Sequence, residues 1–143
     1  MYSFSTRLNN DEKRWIFECI EYVKLLNIPI SNEIYFKHSL NYREAGWCDT
    51  EEDSTKAECT IGISIHLSFY EDYEIDFKET CIHELLHTIP NRSKNPHKGS
   101  WEKYAKLINS LYDPRNSIHK YYITERYYKN TLKKAKEKRF GKC

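Results

Sequence analysis

No run of apolar residues in this chain approaches the ~20 needed to cross a bilayer. With a mean hydropathy of −0.83 and 31% charged residues, a soluble protein without membrane attachment is expected. The first residues, Met1-Tyr2-Ser3-Phe4-Ser5-Thr6-Arg7, lack a charged segment leading into an apolar one, so no secretory signal is expected and the location read is cytoplasmic. Cys-x-x-Cys pairs are missing too. The five cysteines, Cys19, Cys48, Cys59, Cys81 and Cys143, are odd in number and widely spaced, which excludes a disulfide framework or a zinc ribbon and fits free thiols in a reducing compartment. Glycine is scarce, at four residues. The acidic stretch Thr50 to Lys56, with Glu51, Glu52 and Asp53, lacks the glycine turn and regular spacing of a calcium loop and reads as a solvated connection.

What is present centres on Thr80-Cys81-Ile82-His83-Glu84-Leu85-Leu86-His87-Thr88, which contains His-Glu-x-x-His. Residues four apart on an α-helix share a face, so His83 and His87 can hold one zinc ion while Glu84 reaches a water beside it. Phe77, Cys81, Ile82, Leu85, Leu86 and Ile89 fall on the opposite side, which predicts a helix over about Asp76 to Ile89, ended by Pro90. The plainer alternative is a histidine pair on a helix surface. A third imidazole argues against it. Asn91, Ser93, Asn95 and Pro96 make a loop that can double back and bring His97 to the metal. Three protein ligands with an open fourth position is the catalytic zinc arrangement, whereas structural sites are closed by four. Glu102, on the next helix, is the rival third ligand.

The block His83-Glu84-Leu85-Leu86-His87 followed by His97-Lys98-Gly99-Ser100-Trp101 resembles the SprT-like (Spartan-type) zinc metalloproteases. Their pattern is the same helix, a short loop, and a third His followed by Gly and, four residues on, an aromatic. Here Trp101 matches the aromatic, and Lys98 places the glycine one position late. The run Ile61-Gly62-Ile63-Ser64-Ile65-His66-Leu67-Ser68 resembles the family's strand before the active helix. The likeness covers roughly residues 10 to 112 and lacks the C-terminal zinc ribbon of many relatives. It implies an α+β, zincin-like metalloprotease domain with a small sheet backed by helices, zinc-dependent hydrolysis of peptide bonds in proteins with Glu84 as general base, and substrates associated with or crosslinked to DNA.

Around the motif, Asn9 to Leu26 reads as a helix capped by Asn9, with Trp15, Ile16, Cys19, Ile20, Val23 and Leu26 at helical spacing and Pro29 closing it. Glu33 to Leu40 is a β-prone run with which Tyr42 to Cys48 can pair. His38 within it reads as a packing or surface residue. Glu58 to Phe69 alternates Ile61, Ile63, Ile65 and Leu67 with Gly62, Ser64, His66 and Ser68, a strand with one buried face. If it is a sheet edge, Ile63, Ser64, Ile65 and His66 can bind an extended substrate through the main chain. A second helix is predicted from about Gly99 to Tyr112, with Trp101 anchoring the His97 loop.

Net charge divides the chain. Residues 1–119 carry 14 basic and 19 acidic side chains, and residues 120–143 carry nine and two. This suggests a metalloprotease domain over 1–119 and a basic extension over 120–143. In the extension Tyr121, Tyr122, Tyr127 and Tyr128 precede Lys129, Lys133, Lys134, Lys136, Lys138 and Arg139. Such charge neutralises phosphates and interleaved aromatics stack on bases, so DNA is the partner read there. A solvated lysine-rich end is the competing account. The alternative from another class is a non-catalytic nucleic-acid-binding protein with a structural zinc site, which demands a fourth protein ligand.

Overall fold

The computed structural model describes residues 1–40, 44–50, 59–69 and 72–124. Strand β1 (Tyr2–Phe4), helix α1 (Asn10–Leu25) and strand β2 (Ile34–Ser39) come first, followed by β3 (Gly46–Thr50) and β4 (Cys59–Ser64). A short 3₁₀ helix over Ile65–Phe69 leads to α2 (Tyr73–Leu86) and α3 (Ser100–Leu111). The result is an α+β unit: a small mixed sheet with three helices. Among the described residues no helix is long and apolar enough to cross a membrane.

The start of α1 follows from its sequence. Asn9 Oδ1 accepts from Glu12 N at 2.8 Å, and Glu12 Oε1 accepts from Asn9 N at 2.9 Å, a reciprocal capping box that satisfies two otherwise orphaned donors. Its end does not depend on Pro29. Asn27 adopts φ 58°, Asn27 N donates to Lys24 O and Ile28 N to Val23 O, which is a Schellman closure with asparagine in the left-handed position.

The sheet order is β1-β2-β4-β3, with β1, β2 and β4 parallel and β3 antiparallel to β4. Ile34, Phe36, Ile61 and Ile63, each at most 1% exposed, point to the helices, and Trp15, Ile16, Phe77, Cys81, Ile82 and Leu85 meet them in one core. Cys19 and Cys81 are buried there as space-filling thiols. His38 is a packing residue: its Nε2 pairs with Glu12 Oε2 at 2.8 Å, and Tyr73 donates to the same oxygen.

Three expectations change. The described part of the Tyr42 to Cys48 region does not pair with the 33–40 run: β2 is flanked by β1 and β4, and β3 lies instead on β4. The strand expected to reach Phe69 stops at Ser64, where the backbone tightens into the 3₁₀ helix that buries Leu67. Finally, the folded unit passes residue 119. Tyr121 and Ile123 are 4% and 3% exposed, with Tyr121 edge-on to Tyr22, so Tyr121 is a core residue and not a surface for stacking bases.

Candidate metal centre

Helix α2 ends earlier than Pro90 would require. His87 is its C-cap, and His87 N, Thr88 N and Ile89 N donate to the carbonyls three residues back, a tightened last turn. His83 and His87 therefore stand one turn apart at the end of the helix. The third imidazole arrives from the loop after it, as its spacing suggests.

Asn91 clamps that loop. Asn91 Nδ2 donates to Lys98 O at 2.7 Å and to Pro96 O at 3.4 Å, while its Oδ1 accepts from Ser93 N and Ser100 N. Asn95 Oδ1 accepts from His97 N at 2.9 Å, a local Asx bond that turns the chain at the ligand. Gly99 has φ 64°, and a Cβ there would lie 2.3 Å from Asn91 Oδ1. The glycine is thus required both by its backbone angle and by the clamp.

Trp101 closes the back of the site. It is 4% exposed, donates Nε1–H to His83 O at 3.1 Å, and packs against all three imidazoles with centroid distances of 5.0, 5.6 and 4.7 Å. It is the anchor its spacing suggested.

The three Nε2 atoms of His83, His87 and His97 form a triangle with every side 3.3 Å. Ligand nitrogens at ~2.0–2.1 Å from a tetrahedral zinc are separated by about 3.3–3.4 Å, so the spacing fits a metal ion. His83 Nδ1 lies 2.9 Å from Thr124 O. A carbonyl only accepts, so the proton sits on Nδ1 and the Nε2 lone pair faces the centre. Burial, with the His87 and His97 rings beside it, lowers the His83 pKa to about 3, and burial, with His97, lowers that of His87 to about 4. Both rings are neutral near pH 7, the form that binds a cation.

Glu84 is 4% exposed. Its Oε1 is 3.8 Å from His83 Nε2, and its Oε2 has no hydrogen-bond partner among the described residues. Burial, then the negative charge of Glu44, raises its pKa to about 8. Without a metal the group therefore holds a proton near pH 7, and a cation among the converging lone pairs would favour the charged carboxylate. The donor set is therefore one that can hold a divalent metal with three protein ligands.

Glu102 is not among these ligands. It pairs with Lys98 at 2.8 Å and Lys106 at 3.0 Å on the surface of α3. The strand proposed to bind substrate is also not an edge: β4 is paired on both sides, with Ile63 and Ser64 0% and 1% exposed. Ile65 begins the 3₁₀ helix, and the His66 side chain lies outside the described residues. Among the described residues the edge strands are β1 and β3, and β3 is the one on the side of β4. It reaches the site at Gly46, where a Cβ would fall 2.8 Å from Thr80 Cγ2 and 3.2 Å from Glu84 Cγ. Lys129, Lys133, Lys134, Lys136, Lys138 and Arg139 lie outside the described residues, as do Tyr127, Tyr128 and most of the acidic Thr50 to Lys56 stretch.

Several supporting residues escaped the sequence. Thr124 acts through its carbonyl, which has no signature. Asn109 binds both backbone groups of Ile123, accepting at 2.7 Å and donating at 2.8 Å, and so holds the segment that presents Thr124. Comparison with family models, with curated proteins and with solved structures found no match. The chemistry of the site rests on its geometry.

Proposed function

We propose that this chain is a zinc-dependent endopeptidase with a zincin-like arrangement, in line with its resemblance to the SprT-like family. The observation that carries the reading is the 3.3 Å triangle of Nε2 atoms with the buried, unpaired Glu84 carboxylate beside it. His83, His87 and His97 would hold the ion. Zinc bound there supplies Lewis acidity and brings the pKa of water towards ~7. Glu84 takes a proton at its carboxylate from the attacking water and passes it to the departing amine nitrogen. Thr124 keeps the His83 proton on Nδ1, and Trp101 shields the imidazoles from the rear. The free edge of β3 offers main-chain groups to an extended polypeptide next to Glu84, which favours protein substrates read with little sequence preference.

A structural zinc site would be closed by a fourth side chain, and among the described residues the group contains three. That favours the catalytic reading over a non-catalytic nucleic-acid-binding protein. Action on DNA-bound proteins rests on the resemblance and on the charge of the run from Lys129 to Arg139. The free thiols of Cys19, Cys48, Cys59 and Cys81 fit a cytoplasmic setting.

The test is metal content and cleavage of an unfolded protein substrate, with and without DNA, for wild type, Glu84→Gln and His97→Ala. One zinc per chain in wild type and Glu84→Gln, cleavage in wild type alone, and weakened zinc in His97→Ala are expected. Cleavage by Glu84→Gln at the wild-type rate would refute the assignment.

A further inference from the structure

Helix α2 buries a second polar atom that the reading above leaves idle. Thr80 is 2% exposed, and its Oγ1 has no hydrogen-bond partner among the described residues. Nor does Glu84 Oε2, one turn further along the same helix. Residues at this spacing share a helix face, and here both side chains pack closely under Gly46: the Cβ that it lacks would sit 2.8 Å from Thr80 Cγ2, 2.9 Å from Gly62 O and 3.2 Å from Glu84 Cγ.

Buried hydroxyls and carboxylates are seldom left unpaired, and internal waters commonly satisfy those that have no protein partner. A threonine inside a helix often returns its hydroxyl to the carbonyl one turn back; Thr80 is not bonded in that way. Its hydroxyl is therefore available to a buried water. We propose that Thr80 is a positioning residue, which holds the Glu84 carboxylate through one buried water bridging Thr80 Oγ1 and Glu84 Oε2. The water donates to Oε2 and is itself held by the threonine hydroxyl. This leaves Oε1 turned to the imidazole triangle, where it lies 3.8 Å from His83 Nε2. Gly46 is what lets β3 approach both side chains this closely. The catalytic part of this inference rests on Glu84 acting as general base.

The test compares Thr80→Val, which keeps the shape and loses the hydroxyl, with Thr80→Ser, which keeps the hydroxyl. The readouts are melting of the metal-free protein, zinc affinity by chelator competition, kcat and KM, and a crystal structure of the wild type. Expected are electron density within hydrogen-bond distance of both oxygens, a lower Tm for Thr80→Val with zinc affinity unchanged, a kcat reduced about tenfold at constant KM, and recovery of kcat in Thr80→Ser. A Thr80→Val protein that melts at or above wild type and turns over normally would overturn the proposal, as would equal losses in both variants or wild-type density with no water between the two oxygens. Should the wild type cleave nothing, the endopeptidase reading falls, while the density and the order of melting temperatures still decide whether the two oxygens share a water.

Discussion

His83 Nδ1 and the carbonyl of Thr124 meet at 2.9 Å, so the orientation of a ligand on α2 is fixed by the backbone of a segment beyond α3. That segment is fastened by the two bonds between the Asn109 amide and Ile123. Asn109→Ala should therefore loosen Thr124 and weaken metal binding about tenfold, with a stability loss of roughly 1–3 kcal/mol from the unpaired backbone groups. Chelator competition and urea unfolding measure the two effects. A variant that is destabilised yet binds metal with unchanged affinity would show that the Thr124 contact does not tune the site.

On the proposed endopeptidase reading, Gly46 and Gly62 would separate catalysis from stability. A methyl at Gly46 meets Thr80 and Glu84 on the helix side of the sheet, whereas one at Gly62 meets the Trp47 ring at 2.4 Å on the other face. Overpacking at either should cost roughly 1–3 kcal/mol. Only Gly46→Ala is expected to displace the carboxylate, giving a protein that carries its full complement of zinc and loses at least about tenfold in kcat. Similar kcat values in the two variants would argue against a role for the close contact between Gly46 and Glu84.

The loop bearing His97 depends on Gly99 and Asn91. Gly99→Ala places a side chain at φ 64° and within 2.3 Å of Asn91 Oδ1, a strain of about 1–3 kcal/mol. Asn91→Ala removes the clamp without that strain. Both should release the third ligand, so cobalt-substituted protein is expected to lose the intense visible absorption of a tetrahedral site. Spectra identical to wild type would mean that His97 is placed by Asn95 and Trp101 without the clamp.

The features legible in the sequence are those that local rules decide. The capping box of Asn9 and Glu12 and the helical spacing of His83 and His87 involve neighbours within one turn. The return of His97 follows from Pro90, Asn91 and Asn95 breaking the helix and bending the loop. Strand partners were not legible, because β3 pairs with β4 through backbone groups that every residue carries. The Schellman closure at Asn27 was hidden by the more conspicuous Pro29. The segment after residue 119 did carry a signal: Tyr121 and Ile123 are buried, and Tyr122, between them, is exposed. That alternation marks an extended stretch packed on one side, but the charge of the residues that follow drew it into the basic extension.

Glu79 supplies a prediction in pH. Its Oε2 accepts from Tyr122 N at 2.6 Å. Burial raises its pKa to about 7, with the Tyr122 bond opposing and the Asp76 charge adding to the rise. In the unfolded chain a glutamate titrates near ~4.3, so between about pH 4.5 and 7 the folded state holds the extra proton. Stability from this group is then present at the acid end of that window and is lost as pH rises through it. Glu79→Gln keeps an acceptor for Tyr122 N and removes the charge. It should match wild type near pH 4.5 and exceed it by on the order of 1–2 kcal/mol at pH 8, allowing for partial solvent screening. His83 and His87, whose lowered pKa values act in the opposite sense as pH falls below ~6.5, are present in both proteins and cancel in the difference. Unfolding curves of the metal-free pair across this range give the answer. A difference that shrinks with rising pH would mean that the bond to Tyr122 outweighs burial, and that the charged carboxylate is what fastens the segment carrying Thr124.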